Sequence, residues 1–147
     1  MQIKDAMAKE PLSVRTDATI QEAAAGMRDA GVGALPVVDK GDELAGIVTD
    51  RDIAVRAVAE GLEAETPVER VMTRQLIVVE PSDELEDALS LMRERQVRRL
   101  PVVEGDRLVG IVAQADIAAL TEAHEAAETL RSVSEPAATQ AEQRPGN

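Results

Sequence analysis

Leu35-Pro36-Val37-Val38, followed by Gly46-Ile47-Val48-Thr49-Asp50-Arg51-Asp52-Ile53, returns as Leu100-Pro101-Val102-Val103 and Gly110-Ile111-Val112-Ala113-Gln114-Ala115-Asp116-Ile117. The first stretch is displaced by 65 positions and the second by 64, because the intervening turn loses one residue in the second copy. The register extends outward: Met7 falls on Met72, Val14 on Val79, Ala23 on Ala88 and Met27-Arg28 on Met92-Arg93. A chain of 147 residues has the size of one compact unit. Two copies are too few for a solenoid, and each is too small to bury a good core alone. The copies are therefore expected to pack face to face about a pseudo-twofold axis.

Each copy reads strand, helix, strand, strand, helix. In the first, Leu12 to Val14 reads as a short strand, and Ile20, Ala23, Ala24 and Met27 recur at helical spacing up to Gly31. Leu35 to Val38 and Leu44 to Thr49 are apolar, β-branched runs around Asp39-Lys40-Gly41-Asp42-Glu43, a hairpin pattern, and a second helix is expected from about Asp50 to Glu60. The second copy repeats this with Ile77 to Val79, Leu85 to Arg95, Leu100 to Val103, Leu108 to Val112 and a helix from Ala115. The pattern predicts an α/β (α+β) fold of two β-α-β-β-α repeats, 1–61 and 68–131, joined by a polar connector over 62–67. Residues 132–147 shift to Ser, Glu, Pro, Ala and Gln without apolar periodicity and read as a disordered tail.

Composition narrows the function classes. Sixteen basic and 28 acidic side chains give a net charge of −12, which opposes binding to nucleic-acid polymers and to anionic membrane surfaces. Phe, Trp and Tyr are absent, so the core must be aliphatic with methionine filling, as Met7, Met27, Met72 and Met92 at equivalent repeat positions suggest. With no Cys there is no thiol nucleophile, thiolate zinc site or disulfide. The single histidine, His124, sits among Glu122, Glu125 and Glu128 and reads as a solvated helix face. No catalytic constellation or metal set can be assembled, and no cofactor is called for. The opening Met1-Gln2-Ile3-Lys4-Asp5 leads into no apolar run long enough for a signal peptide or a membrane span, so a cytoplasmic protein is expected.

The sharpest local feature is Thr49-Asp50-Arg51-Asp52, where a strand breaks into a helix with a hydroxyl and a carboxylate three residues apart. One reading is a nucleotide site: a carboxylate accepts from vicinal ribose hydroxyls, while a hydroxyl and free helix-start amides bind phosphate oxygens. The other is a capping box, in which the same two side chains satisfy orphan amides with no ligand. Likewise Arg93, Arg95, Arg98 and Arg99 end or follow a helix, where cations complement the dipole; they also suit an anionic ligand.

Val32-Gly33-Ala34-Leu35-Pro36-Val37-Val38, the Gly46 to Ile53 stretch and their second copies resemble tandem CBS domains, the Bateman module, over roughly residues 1 to 125. Among stand-alone pairs the resemblance is to the hypoxic response protein type. It implies two halves packed through their sheets, commonly dimerised, with clefts that bind AMP, ADP, ATP or S-adenosylmethionine. By position, Thr49 would be the phosphate-side hydroxyl and Asp52 the ribose carboxylate of one cleft, with Val97 and Arg98 near the base. In the other, Asp116 takes the ribose position, Val32 and Gly33 face it, and Arg98 with Arg99 occupies a phosphate position. Arg51 adds local positive charge. Ala113 departs from the pattern where Ser or Thr is expected, and Gly33-Ala34 stands where the second copy has two arginines. The expectation is a non-catalytic adenosine-nucleotide sensor, a homodimer acting in trans on an unidentified protein partner. Ala-rich helix faces at Ala54, Ala57, Val58, Ala118, Ala119, Ala126 and Ala127 suit close helix approach in such a dimer. The alternative is a ligand-free dimeric interaction module.

Overall fold

The computed structural model describes residues 1–74 and 76–133. Its elements are α1 (Ile3–Ala6), β1 (Ala8–Lys9), β2 (Val14–Arg15), α2 (Ile20–Ala30), β3 (Ala34–Val38), β4 (Leu44–Thr49), α3 (Asp50–Asp52), α4 (Leu85–Arg95), β5 (Arg99–Glu104), β6 (Arg107–Ala113) and α5 (Gln114–Val133). They form two three-stranded sheets, β2-β3-β4 and β1-β6-β5, each with its own aliphatic core, as the two-repeat α/β reading requires. The two hairpins are equivalent. Pro36 opposes Ile47 in one, Pro101 opposes Ile111 in the other, and each ladder slips at the valine pair before its turn.

The two cores exchange segments. Ile3, at the start of the first repeat, is fully buried among Leu85, Met92, Leu100 and Ile117 of the second. Val68, Val71 and Met72, which open the second repeat, lie in the core of the first. Strand β1 adds to β6, and Thr73 exchanges backbone hydrogen bonds of 2.8 and 3.0 Å with Ile47 in β4. The repeat as a sequence unit and the core as a packed unit therefore differ by one segment each. Segment 62–67 is likewise bound to the first half. Leu62 packs on that core, and the carbonyls of Thr66 and Ala64 accept from Ile20 and Gln21, satisfying orphan amides at the start of α2.

Several expected boundaries shift, with physical causes. The strand expected over Leu12 to Val14 is Val14–Arg15, and that over Ile77 to Val79 shrinks to one parallel bridge, Val79 to Val102. In each ladder the next donor would be the amide of Pro36 or Pro101, which has no N–H, so pairing stops and Leu12 is left exposed. The helix expected from Asp50 to Glu60 begins as α3 but widens into a π-helix over Ile53–Val58. Ala57, expected on a dimer face, is buried in the first core. Of the expected tail, Ser132 and Val133 form the last turn of α5; the rest lies outside the described residues.

Close backbone crossings hold the exchanged segments. A Cβ at Gly46 would stand 2.7 Å from the Thr73 carbonyl oxygen, and one at Gly110 would stand 2.9 Å from that of Ala8. The sulfurs of Met72 and Met7 lie equally close, at 2.8 and 2.9 Å, repeating one arrangement in both halves. Gly46→Ala and Gly110→Ala should each lower stability by about 1–3 kcal/mol through overpacking against backbone. Far-ultraviolet circular dichroism melts check this, and an unchanged midpoint in either variant would contradict the crossing.

Candidate functional site

Strands β3 and β4 meet β5 and β6 across the pseudo-twofold axis. Side chains alternate along β4, so Gly46 and Val48 face the first core while Ile47 and Thr49 face the other half; Ile111 and Ala113 do the same in β6. Between them lies a cavity of about 470 Å³. Its aliphatic walls are Pro36 and Ile47 from one half and Pro101 and Ile111 from the other, residues equivalent in the repeat. Thr49 and Asp50 provide polar groups from one side, Arg98 and Arg99 from the other. Gly33, Ala34, Leu35 and Val97 complete it. The size and the aliphatic lining with few polar groups suit a small organic molecule.

The structure thus gathers Thr49, Gly33, Val97, Arg98 and Arg99 of the expected site. Val32, Arg51, Asp52 and Asp116 do not line this cavity. Val32 packs on the first core, and Arg51 is exposed. Asp52 is 8% exposed and tied into a capping box. Its amide donates to the Thr49 hydroxyl at 3.0 Å, and its Oδ2 accepts from the Thr49 amide at 3.0 Å. Thr73 donates to the same oxygen at 3.5 Å, while Oδ1 faces Arg56 at 3.8 Å. The carboxylate on the cavity wall is Asp50. Its Oδ2 would stand 3.0 Å from any Cβ at position 33, so Gly33 leaves room for it. The motif drew attention to Asp52 and missed Asp50.

A second cavity of about 560 Å³ is lined by Arg98, Arg99, Ala113, Gln114, Ala115 and Ala118. It occupies the equivalent junction of the second half, where Ala113 and Gln114 replace Thr49 and Asp50. Asp116 is exposed, and among the described residues its side chain has no hydrogen-bond or ion-pair partner. The two equivalent aspartates therefore differ in what they support. Asp52→Ala should cost about 0.5–1.5 kcal/mol by losing the bond from the Thr49 amide, whereas Asp116→Ala should stay within about 0.5 kcal/mol of the parent. Denaturant titrations of the two variants check this, and equal losses would contradict it.

Comparison with known proteins places this geometry. Residues 3–58 and 68–123 each match the CBS domain family. The CBS domain-containing protein YhcV of Bacillus subtilis is 48% identical over 116 residues, covering 79% of this chain and 82% of the relative. Hypoxic response protein 1 of Mycobacterium tuberculosis is 38% identical over 121 residues, 82% of this chain and 85% of the relative. Among solved structures, Hypoxic Response Protein I with two coordinated zinc ions superposes with a TM-score of 0.74 at 37% identity, covering 80% of this chain and 97% of that one. The CBS domain pair of protein MJ0100, in complex with 5′-methylthioadenosine and S-adenosyl-L-methionine, gives 0.73 at 30% identity over 84% of this chain and 98% of that one. CBSX2 in complex with AMP gives 0.76 at 26% identity, with coverage of 84% and 98%. This chain has no Cys and one His, and among the described residues no three of His, Cys, Asp and Glu are grouped so as to hold a metal ion. Two matched segments that fill most of the sequence, arranged as two packed halves, make this chain a tandem CBS-domain protein.

Proposed function

We propose that this chain is a non-catalytic regulatory module that binds an adenosine nucleotide or adenosyl compound between its halves. The observation that carries the reading is the cavity on the pseudo-twofold axis, with aliphatic walls, Thr49 and Asp50 on one side and two arginines on the other. The bound AMP, methylthioadenosine and S-adenosylmethionine in the similar CBS pairs support that ligand class. With no aromatic residue in the chain, the base lies against Ile47, Ile111 and the two prolines rather than on a ring. Phosphate oxygens fall to the Thr49 hydroxyl and the arginines, and ribose hydroxyls to Asp50. The module forms a homodimer in the cytoplasm and signals in trans to a protein partner. Val55 and Val58, exposed beside Ala54, supply an apolar face for that dimer. Among the described residues no helix is long and apolar enough to cross a membrane.

One observation favours the second reading, a ligand-free dimeric interaction module: Thr49 and Asp52 already satisfy each other's amides. Thermal melts separate the two. A ligand at 100 times its dissociation constant stabilises by about 2.7 kcal/mol, which raises the midpoint of a chain this size by about 5–10 °C. The sensor reading predicts such a shift with AMP, ATP or S-adenosylmethionine. It also predicts a loss of shift in Asp50→Ala and a retained shift in Asp52→Asn, which keeps an acceptor for the Thr49 amide. Melts indifferent to all three compounds would leave the interaction module, and a lost shift in Asp52→Asn would contradict the confinement of that residue to the cap.

A further inference from the structure

Arg98 and Arg99 line both cavities and are the residues the two have in common. Arg99 opens β5 and Arg98 precedes it, so the pair stands on the wall between the two cavities. Both are exposed, and among the described residues neither side chain has a hydrogen-bond or ion-pair partner, in a chain of net charge −12. Their equivalents in the first repeat are Gly33 and Ala34, which carry no charge. The lining of the two cavities includes no other cation: one adds Thr49 and Asp50, the other Gln114 and alanines.

We propose that Arg98 and Arg99 form a single phosphate clamp serving both cavities, so that each chain holds one phosphorylated adenosine ligand at a time. The proposal rests on the nucleotide reading above and adds the rule of occupancy. A di- or triphosphate in either cavity needs both guanidinium groups for charge-assisted hydrogen bonds. Once they are engaged, a second phosphate chain meets no free cation and faces a like charge across a shared wall. Adenosine itself carries no charge and escapes that exclusion. Occupancy of one cavity by a nucleotide is thereby coupled negatively to the other, and the coupling runs equally in both directions.

Isothermal titration of the full chain with ATP, and separately with adenosine, tests this. The expected result is one ATP per chain, with any second site weaker by about tenfold or more. In the double variant Arg98→Gln/Arg99→Gln, ATP affinity should fall by about tenfold or more, while adenosine affinity and the unliganded melting midpoint change little. Two ATP sites of equal affinity per chain would overturn the shared clamp and leave the nucleotide reading standing. So would ATP affinity that survives in the double variant, or that falls in step with adenosine affinity. Failure of both ATP and adenosine to bind the parent chain would remove the nucleotide reading and the clamp together.

Discussion

The carbonyls of Thr73 and Ala8 lie against Gly46 and Gly110 where a side chain would otherwise stand, and the arrangement of the halves depends on that approach. It lets the segment entering each repeat dock on the sheet of the other. Ile3 then closes the second core, and Val68 to Met72 close the first. Neither half buries enough apolar surface alone, so exchanging segments makes one folding unit of two sub-minimal cores. The hairpin turns are stitched as well: Leu44 donates to the Asp106 carbonyl at 2.9 Å, and Arg107 lies 3.9 Å from Asp42. With the sheets held at both places, the space between β4 and β6 is fixed by the backbone rather than by adaptable side chains.

The cavity inherits the symmetry of the fold in its walls and breaks it at its rim. Pro36 with Pro101 and Ile47 with Ile111 give matched aliphatic surfaces, as expected where a twofold axis passes between equivalent strands. The polar positions diverge. Thr49 and Asp50 correspond to Ala113 and Gln114 in the second copy, and the arginine pair has neutral counterparts. Asp52 is sealed into its cap while Asp116 is exposed. The two copies agree where packing requires it and differ in the groups that face the cavities. Two equivalent junctions therefore have unequal chemistry.

Much of this was legible in the sequence. The helix Leu85 to Arg95 and both hairpins follow from apolar periodicity and turn residues, and the 65-residue displacement gave the pseudo-symmetry. The capping box at Thr49 was visible as one of two open readings, and the structure shows it formed. What stayed hidden is non-local. No window of sequence shows that Ile3 belongs with Leu100, because the contact spans the whole first repeat. The shortened parallel ladders depend on a proline in the partner strand, not in the strand itself. Asp50 escaped notice because its place in the cavity follows from Gly33, distant in sequence, having no side chain.

The most direct measurement follows from composition. Lacking Phe, Trp, Tyr and Cys, the chain has no near-ultraviolet chromophore of its own, so a change in circular dichroism at the adenine absorption band relative to free nucleotide reports a nucleobase held by the protein. Titration with AMP or ATP is predicted to give an induced band that grows and saturates as the cavity between the halves fills. A spectrum that stays that of free nucleotide up to millimolar concentration would contradict the account.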